Sequence, residues 1–204
     1  MSIETAMVTH NNLYSLFEKR AGLNVYRDRA TLMLHDGKGN VLAAKNNNPS
    51  IHDAPYFFPG GGIHKDESTD NPIPDNKLVE KGLKREALEE LGYKVHKIEH
   101  LDHPHSENQM NPEWQRRVYK KRGEFYEGVR EHIRAAQIAG KDTRLYNKEG
   151  DAFHAHNPVL VPAKEIAKSL RDHAGNEFIF DGKRKAMLHQ ADFLDKLHGK
   201  YSSK

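Results

Sequence analysis

The chain has 204 residues, 32 Lys and Arg against 29 Asp and Glu for a formal charge of +3, and no cysteine. That length suits one domain with insertions rather than two full-sized ones, and the small basic excess leaves anion recognition to a local site. Without thiols there are no disulfides or thiolate metal sites, so His and carboxylates are the strong metal ligands left; no stretch reaches the roughly 20 apolar residues of a membrane span.

The start, MSIETAMVTHNN, has no basic segment followed by an apolar core, so no secretory signal is read there and a cytoplasmic location is expected. Leu13, Tyr14, Leu16 and Phe17 fit one or two helical turns, and residues 1–26 are read as a peripheral segment ahead of a main domain over 27–204. Ala30 to Leu34 reads as a buried strand, Asp36 to Asn40 as a turn and Val41 to Ala44 as the returning strand, which together predict a β-hairpin over 29–44. Asn46 to Pro49 is a polar loop. Tyr56-Phe57-Phe58 then runs into Pro59-Gly60-Gly61-Gly62, where successive glycines permit close backbone approach.

His64 to Asn76, with Pro72 and Pro74, is predicted to be a loop. Lys77 to Leu91 is predicted to be a helix, with Asp75 or Asn76 as N-cap and Gly92 as its stop. Tyr93 to Leu101 alternates weakly, as a half-exposed strand would. Residues 102–123 are polar and end in a basic cluster of Arg116, Arg117, Lys120, Lys121 and Arg122 beside Trp114. Glu124 to Ala139 reads either as a strand turning into a helix or as one long helix. Ala152 to His156 alternates, Pro158 to Pro162 is an apolar strand closed by proline, and Lys183 to Leu197 is a final helix.

Chemistry concentrates on the first helix. Glu86, Glu89 and Glu90 stand at i, i+3 and i+4, within about a 100° arc of one face. Like charges so close repel, and a cation should compensate. Mg²⁺ binds through a few carboxylates and completes its shell with water and phosphate oxygens. A solvated acidic face neutralised by Lys84 or Arg85 is the plainer alternative; the glycine turn just upstream, able to offer backbone groups, weighs against it.

With these residues the chain resembles the Nudix hydrolase family, whose box reads G-x5-E-x7-R-E-U-x-E-E-x-G-U. Gly61 and Glu67 match the first half, and Arg85, Glu86, Ala87, Glu89, Glu90, Gly92 and Tyr93 hold the second in register. The box thus spans 61–93, but 17 residues separate Glu67 from Arg85 where the pattern has seven. The extra residues fall in the Pro- and Asp-containing loop at about 68–76, where length is tolerated because closure entropy grows slowly.

The resemblance implies an α/β fold, a Nudix-type α/β/α sandwich with a mixed sheet between helices. It implies hydrolysis of the diphosphate linkage of a nucleoside diphosphate derivative with Mg²⁺ or Mn²⁺. Glu86, Glu89, Glu90 and the Gly61 backbone would hold the ions, and Arg85 would orient a carboxylate, with Glu67 as its partner. Glu127, Glu131 and Glu149 stand with the helix glutamates as candidate general bases. The expected partner is a small nucleotide, with no membrane partner and a homodimer as candidate assembly. Two alternative functions are removal of a nucleotide cap from RNA 5′ ends, for which Trp114 and the basic run would speak, and nucleotide binding without cleavage.

The 14 histidines raise a further metal reading. His100, His103 and His105 with Asp102, or His154 with His156, have ligand-like spacing, although Pro104 breaks the regularity of the first set.

Overall fold

A computed structural model describes residues 26–46, 54–63, 74–92, 95, 97–101, 105–110, 115, 126–138 and 158–201, with the side chains of Glu89 and Glu90 excepted. The predicted segments at 13–17, 116–122 and 152–156 lie outside these residues. The elements in order are β1 (Tyr26–His35), β2 (Asn40–Lys45), β3 (Tyr56–Phe57), β4 (Gly60–Gly62), α1 (Asn76–Leu91), β5 (Ser106–Gln109), β6 (Gly128–Gln137), β7 (Val159–Pro162), α2 (Ala163–Ala174) and α3 (Asp181–Tyr201).

The sheet is mixed, with main order β3-β2-β1-β6-β5, while β4 pairs with β1 and β7 with β2. At its centre β1 runs parallel to β6 over ten residue pairs, from Tyr26↔Gly128 to His35↔Gln137. The expected hairpin is β1 and β2, antiparallel around His35↔Val41. Parallel strands need a long crossover, and the chain between β1 and β6 provides it.

Alternation along β1 divides the core. Ala30, Leu32 and Leu34 pack with Val79, Leu83 and Ala87 of α1. Met33 joins Ile133 and Ala135 of β6 against Ile166 and Leu170 of α2 and Met187 and Leu194 of α3. The sheet therefore lies between α1 on one face and α2 with α3 on the other, the α/β/α layering expected from the sequence. No helix among the described residues is long and apolar enough to cross a membrane.

The acidic helix begins and ends where the capping residues place it. Asp75 accepts a hydrogen bond from the Leu78 N–H at 2.8 Å, an N-cap of about 1 kcal/mol. Gly92 closes the helix at φ 65° in the left-handed region, its N–H bonded to the Leu88 carbonyl at 3.0 Å.

Three expectations are corrected. Of the segment 124–139, residues 126–138 are described and form neither a long helix nor a strand-to-helix turn: β6 is one strand of ten residues. Both of its faces are covered, so Arg130, Glu131 and His132 are all buried and the apolar-polar alternation that marks a half-exposed strand is erased. Ser106 to Gln109, inside a stretch read only as polar, pairs with β6 as an edge strand. Within Tyr93 to Leu101 the described residues contribute a single bridge, Glu99↔Ala135, and no strand.

Candidate active site

The glycine segment is laid along β1 by backbone bonds. The Leu32 N–H donates to the Pro59 carbonyl at 2.9 Å and the Ile63 N–H to the Asp28 carbonyl at 3.0 Å, with Ala30↔Gly61 and Arg29↔Gly62 in register between them. Gly61 faces α1. A Cβ at this position would overlap the Glu86 carboxylate, so glycine is required here by close approach. Gly61 and Glu86 therefore stand against each other across strand and helix.

Arg85 ties the two elements together. Its Nη2 donates to the Gly62 carbonyl at 3.3 Å and to Glu86 Oε1. Its expected partner, Glu67, lies outside the described residues; within them the guanidinium clamps its own neighbour, Glu86, to the glycine strand. Glu86 is 9% exposed, a carboxylate held against backbone at the edge of the core. Glu89 and Glu90 follow on the same helix, and their side chains lie outside the described set. Among the described residues no group of three His, Asp or Glu is assembled to hold an ion.

The candidate bases separate by face. Glu131 turns toward α3, accepting from Thr31 Oγ1 at 2.7 Å and from Gln190 Nε2 at 2.9 Å. The sheet thus stands between Glu131 and Glu86. Glu127 precedes β6, and its carbonyl accepts from Met110 N–H and Gln115 Nε2. Glu149 lies outside the described residues.

Beside α1, on the face that carries Ala30, is a polar group the sequence reading missed. Asp28 Oδ1 lies 3.0 Å from His132 Nε2 and accepts from Arg130 Nη1 at 3.3 Å. Arg130 Nε donates to Glu107 Oε1 at 2.9 Å, and the guanidinium sits over the Tyr26 ring. His105 packs its ring 5.5 Å from that of His132. Burial, with the charges of His132 and Arg130 adding to it and Glu107 opposing, holds the His105 imidazole below its ordinary range. The signal available in the sequence was Arg130, His132 and Arg134 at alternate positions, which a strand places on one face.

Of the suspected histidine ligands, His100 and His105 are the described ones, and they have separate partners. His100 turns to Glu80 of α1 at 3.0 Å while His105 joins His132; Asp102, His103, His154 and His156 lie outside the described residues, as do Trp114 and the basic run.

The chain matches the family model for the NUDIX domain over residues 25–176. Solved structures it resembles include a NUDIX hydrolase from Nitrosomonas europaea, 11% identical at a TM-score of 0.46 over 86% of this chain and 90% of that one. Another is the E. coli dihydroneopterin triphosphate pyrophosphohydrolase, 11% identical at 0.44 over 80% and 94%. A variant of a Bacillus subtilis pyrophosphohydrolase is 15% identical at 0.39 over 86% and 84%. No curated protein matches the sequence. With a family match that takes in the glycine strand, the acidic helix and both strands of the central parallel pair, the chain belongs to the Nudix hydrolase family.

Proposed function

We propose that this protein hydrolyses the diphosphate linkage of a nucleoside diphosphate derivative and depends on a divalent cation, as members of its family generally do. The observation that carries the reading is Gly61 against the Glu86 carboxylate, with Arg85 clamping that carboxylate to the Gly62 carbonyl. Carboxylate and backbone carbonyl oxygens are the hard donors that Mg²⁺ and Mn²⁺ take, so these residues fit such an ion. Glu86, Glu89, Glu90 and the Gly61 backbone would hold it. Bound there, it would supply charge neutralisation for phosphate oxygens and an acidified water.

The chain's own residues supply the positioning. Arg85 fixes Glu86 so that the carboxylate need not reorganise when a phosphate arrives. Missing side-chain bulk at Gly61 lets the Glu86 carboxylate lie directly against the glycine strand. Glu67 completes the proposed set through the first half of the box. We take 27–204 as one unit, because α3, all of it beyond the family match, packs into the same core as β1 and β6.

A panel of ADP-ribose, dinucleoside polyphosphates, NADH, nucleoside triphosphates and capped RNA, with released phosphate or nucleotide as readout, tests the reading. Turnover of at least one diphosphate compound with Mg²⁺ or Mn²⁺, abolished by EDTA, is the expected result. Turnover of capped RNA alone would select the decapping alternative, and binding without turnover of any compound would select the non-catalytic one.

A further inference from the structure

Strand register brings a second polar group onto the sheet face that carries Gly61 and α1. Ala30 pairs with Gly61 on one side and with His132 on the other. Gly61 and His132 thus flank one residue on the face that carries α1, about 10 Å apart across two strand spacings. His132 is tied through one nitrogen. Arg130 can only donate, so Asp28 Oδ1 acts as an acceptor, and the His132 nitrogen 3.0 Å from it, Nε2, carries the imidazole proton. That leaves Nδ1 with its lone pair, and among the described residues nothing hydrogen-bonds to it.

Burial is graded outward along this group. The Asp28 and His132 side chains are 0% and 4% exposed, whereas that of His105, stacked against His132, is 30% exposed. Among the described residues the charged groups facing His132 are Asp28 from β1, Glu107 from β5 with His105 just before it, and Arg130 on its own strand.

We infer that His132 Nδ1 accepts the proton of the attacking water, with Asp28 as its positioning residue and His105 as the route of that proton to solvent; the inference rests on the hydrolase reading above. As one water O–H bond breaks toward Nδ1, the water oxygen bonds to phosphorus. The bond from phosphorus to the bridging oxygen breaks, and the leaving phosphate retains its electron pair. Asp28 stabilises the imidazolium until the proton passes outward.

The test follows kcat and KM against pH for wild type, His132→Gln, Asp28→Asn and His105→Gln, using whichever compound of the panel the wild type turns over fastest. His132→Gln should lower kcat about 10²-fold or more with KM within about threefold, and should remove the acidic limb of the profile. Asp28→Asn should lower kcat about tenfold or more with KM within about threefold, since the imidazolium loses the carboxylate that orients and stabilises it. A folded His132→Gln with the wild-type kcat and profile overturns the inference. Should that variant not fold, ¹⁵N-histidine NMR of the wild type decides: an Nε2–H tautomer of His132 supports the role, and an Nδ1–H tautomer overturns it. Glu86→Gln separates the two levels. Lost turnover there with an unaffected His132→Gln overturns only the proton role, whereas retained turnover in Glu86→Gln, or none in the wild type, overturns the parent reading and this one with it.

Discussion

Two buried histidines on the central parallel strand pair make a natural comparison. His35 ends β1 and His132 lies within β6, and each sets Nε2 near a carboxylate: 3.2 Å to Glu99 for His35 and 3.0 Å to Asp28 for His132. Around His35 every valence is used. Its Nδ1 accepts the Gly37 N–H at 3.1 Å, and Glu99 also accepts from Lys200 and Tyr201, each at 2.6 Å. That cluster fastens the end of α3 to the end of β1. His132 keeps one nitrogen without a hydrogen bond among the described residues and lies on the face that carries α1. The same pair of residue types is a fastener where its valences are saturated and a reactive group where one is left open.

Substitutions at the two places should therefore fail in different ways. The largest effect is expected on turnover: Glu86→Gln, Glu89→Gln and Glu90→Gln should each lower kcat about a hundredfold or more while the circular dichroism spectrum is kept, because charge is removed where phosphate charge develops. Wild-type turnover in all three would break the comparison at its catalytic end. Next comes the latch. Tyr201→Phe should cost about 0.5–1.5 kcal/mol in urea denaturation, with kcat within about threefold of wild type, since it deletes a hydrogen bond far from Gly61.

Glu131→Gln sharpens the distinction between faces. Its carboxylate accepts from Thr31 and Gln190 on the α3 side, so turnover should stay within about threefold and the change should register in Tm. A hundredfold loss would place Glu131 in the chemistry after all.

The smallest effect is the pH dependence of the latch. Burial, only partly opposed by Glu99, lowers the His35 pKa from its ordinary 6.5. Burial raises the Glu99 pKa, but hydrogen bonds from Lys200 and Tyr201 and the charge beside it bring it below its ordinary 4.5. In both cases the unfolded chain binds more protons, so stability is complete above the ordinary values and declines as pH falls. The Tm difference between wild type and Glu99→Gln should then shrink as pH drops below about 4.5, as thermal unfolding at constant ionic strength will show. A difference that widens on acidification would reverse the sign assigned to Glu99.

Local signals were legible in the sequence wherever one residue type carries one physical demand. Asp75 and Gly92 bounded α1, the turn formers at 36–40 set the hairpin, and the glycines before the acidic helix marked the strand that approaches Glu86. What the sequence concealed is tertiary. Charged residues normally mark a solvated face, so Arg130, Glu131 and His132 disguised a strand buried on both sides. Their partners Asp28, Glu107 and Gln190 are distant in the chain and meet only through strand pairing and helix packing. For the same reason Glu131 and His132, adjacent in sequence, turn to opposite faces of the sheet, and only the fold tells which of them stands on the side of the acidic helix.

The claim on which the account depends is that Gly61 and the acidic face of α1 form a divalent-cation site. Its most direct test is a Mn²⁺ titration of the full chain followed by electron paramagnetic resonance, in which bound ion is lost from the free-ion signal. Wild type should bind Mn²⁺, and Glu86→Gln should weaken that binding about tenfold or more. Equal binding by the two proteins, or none by the wild type, would contradict it.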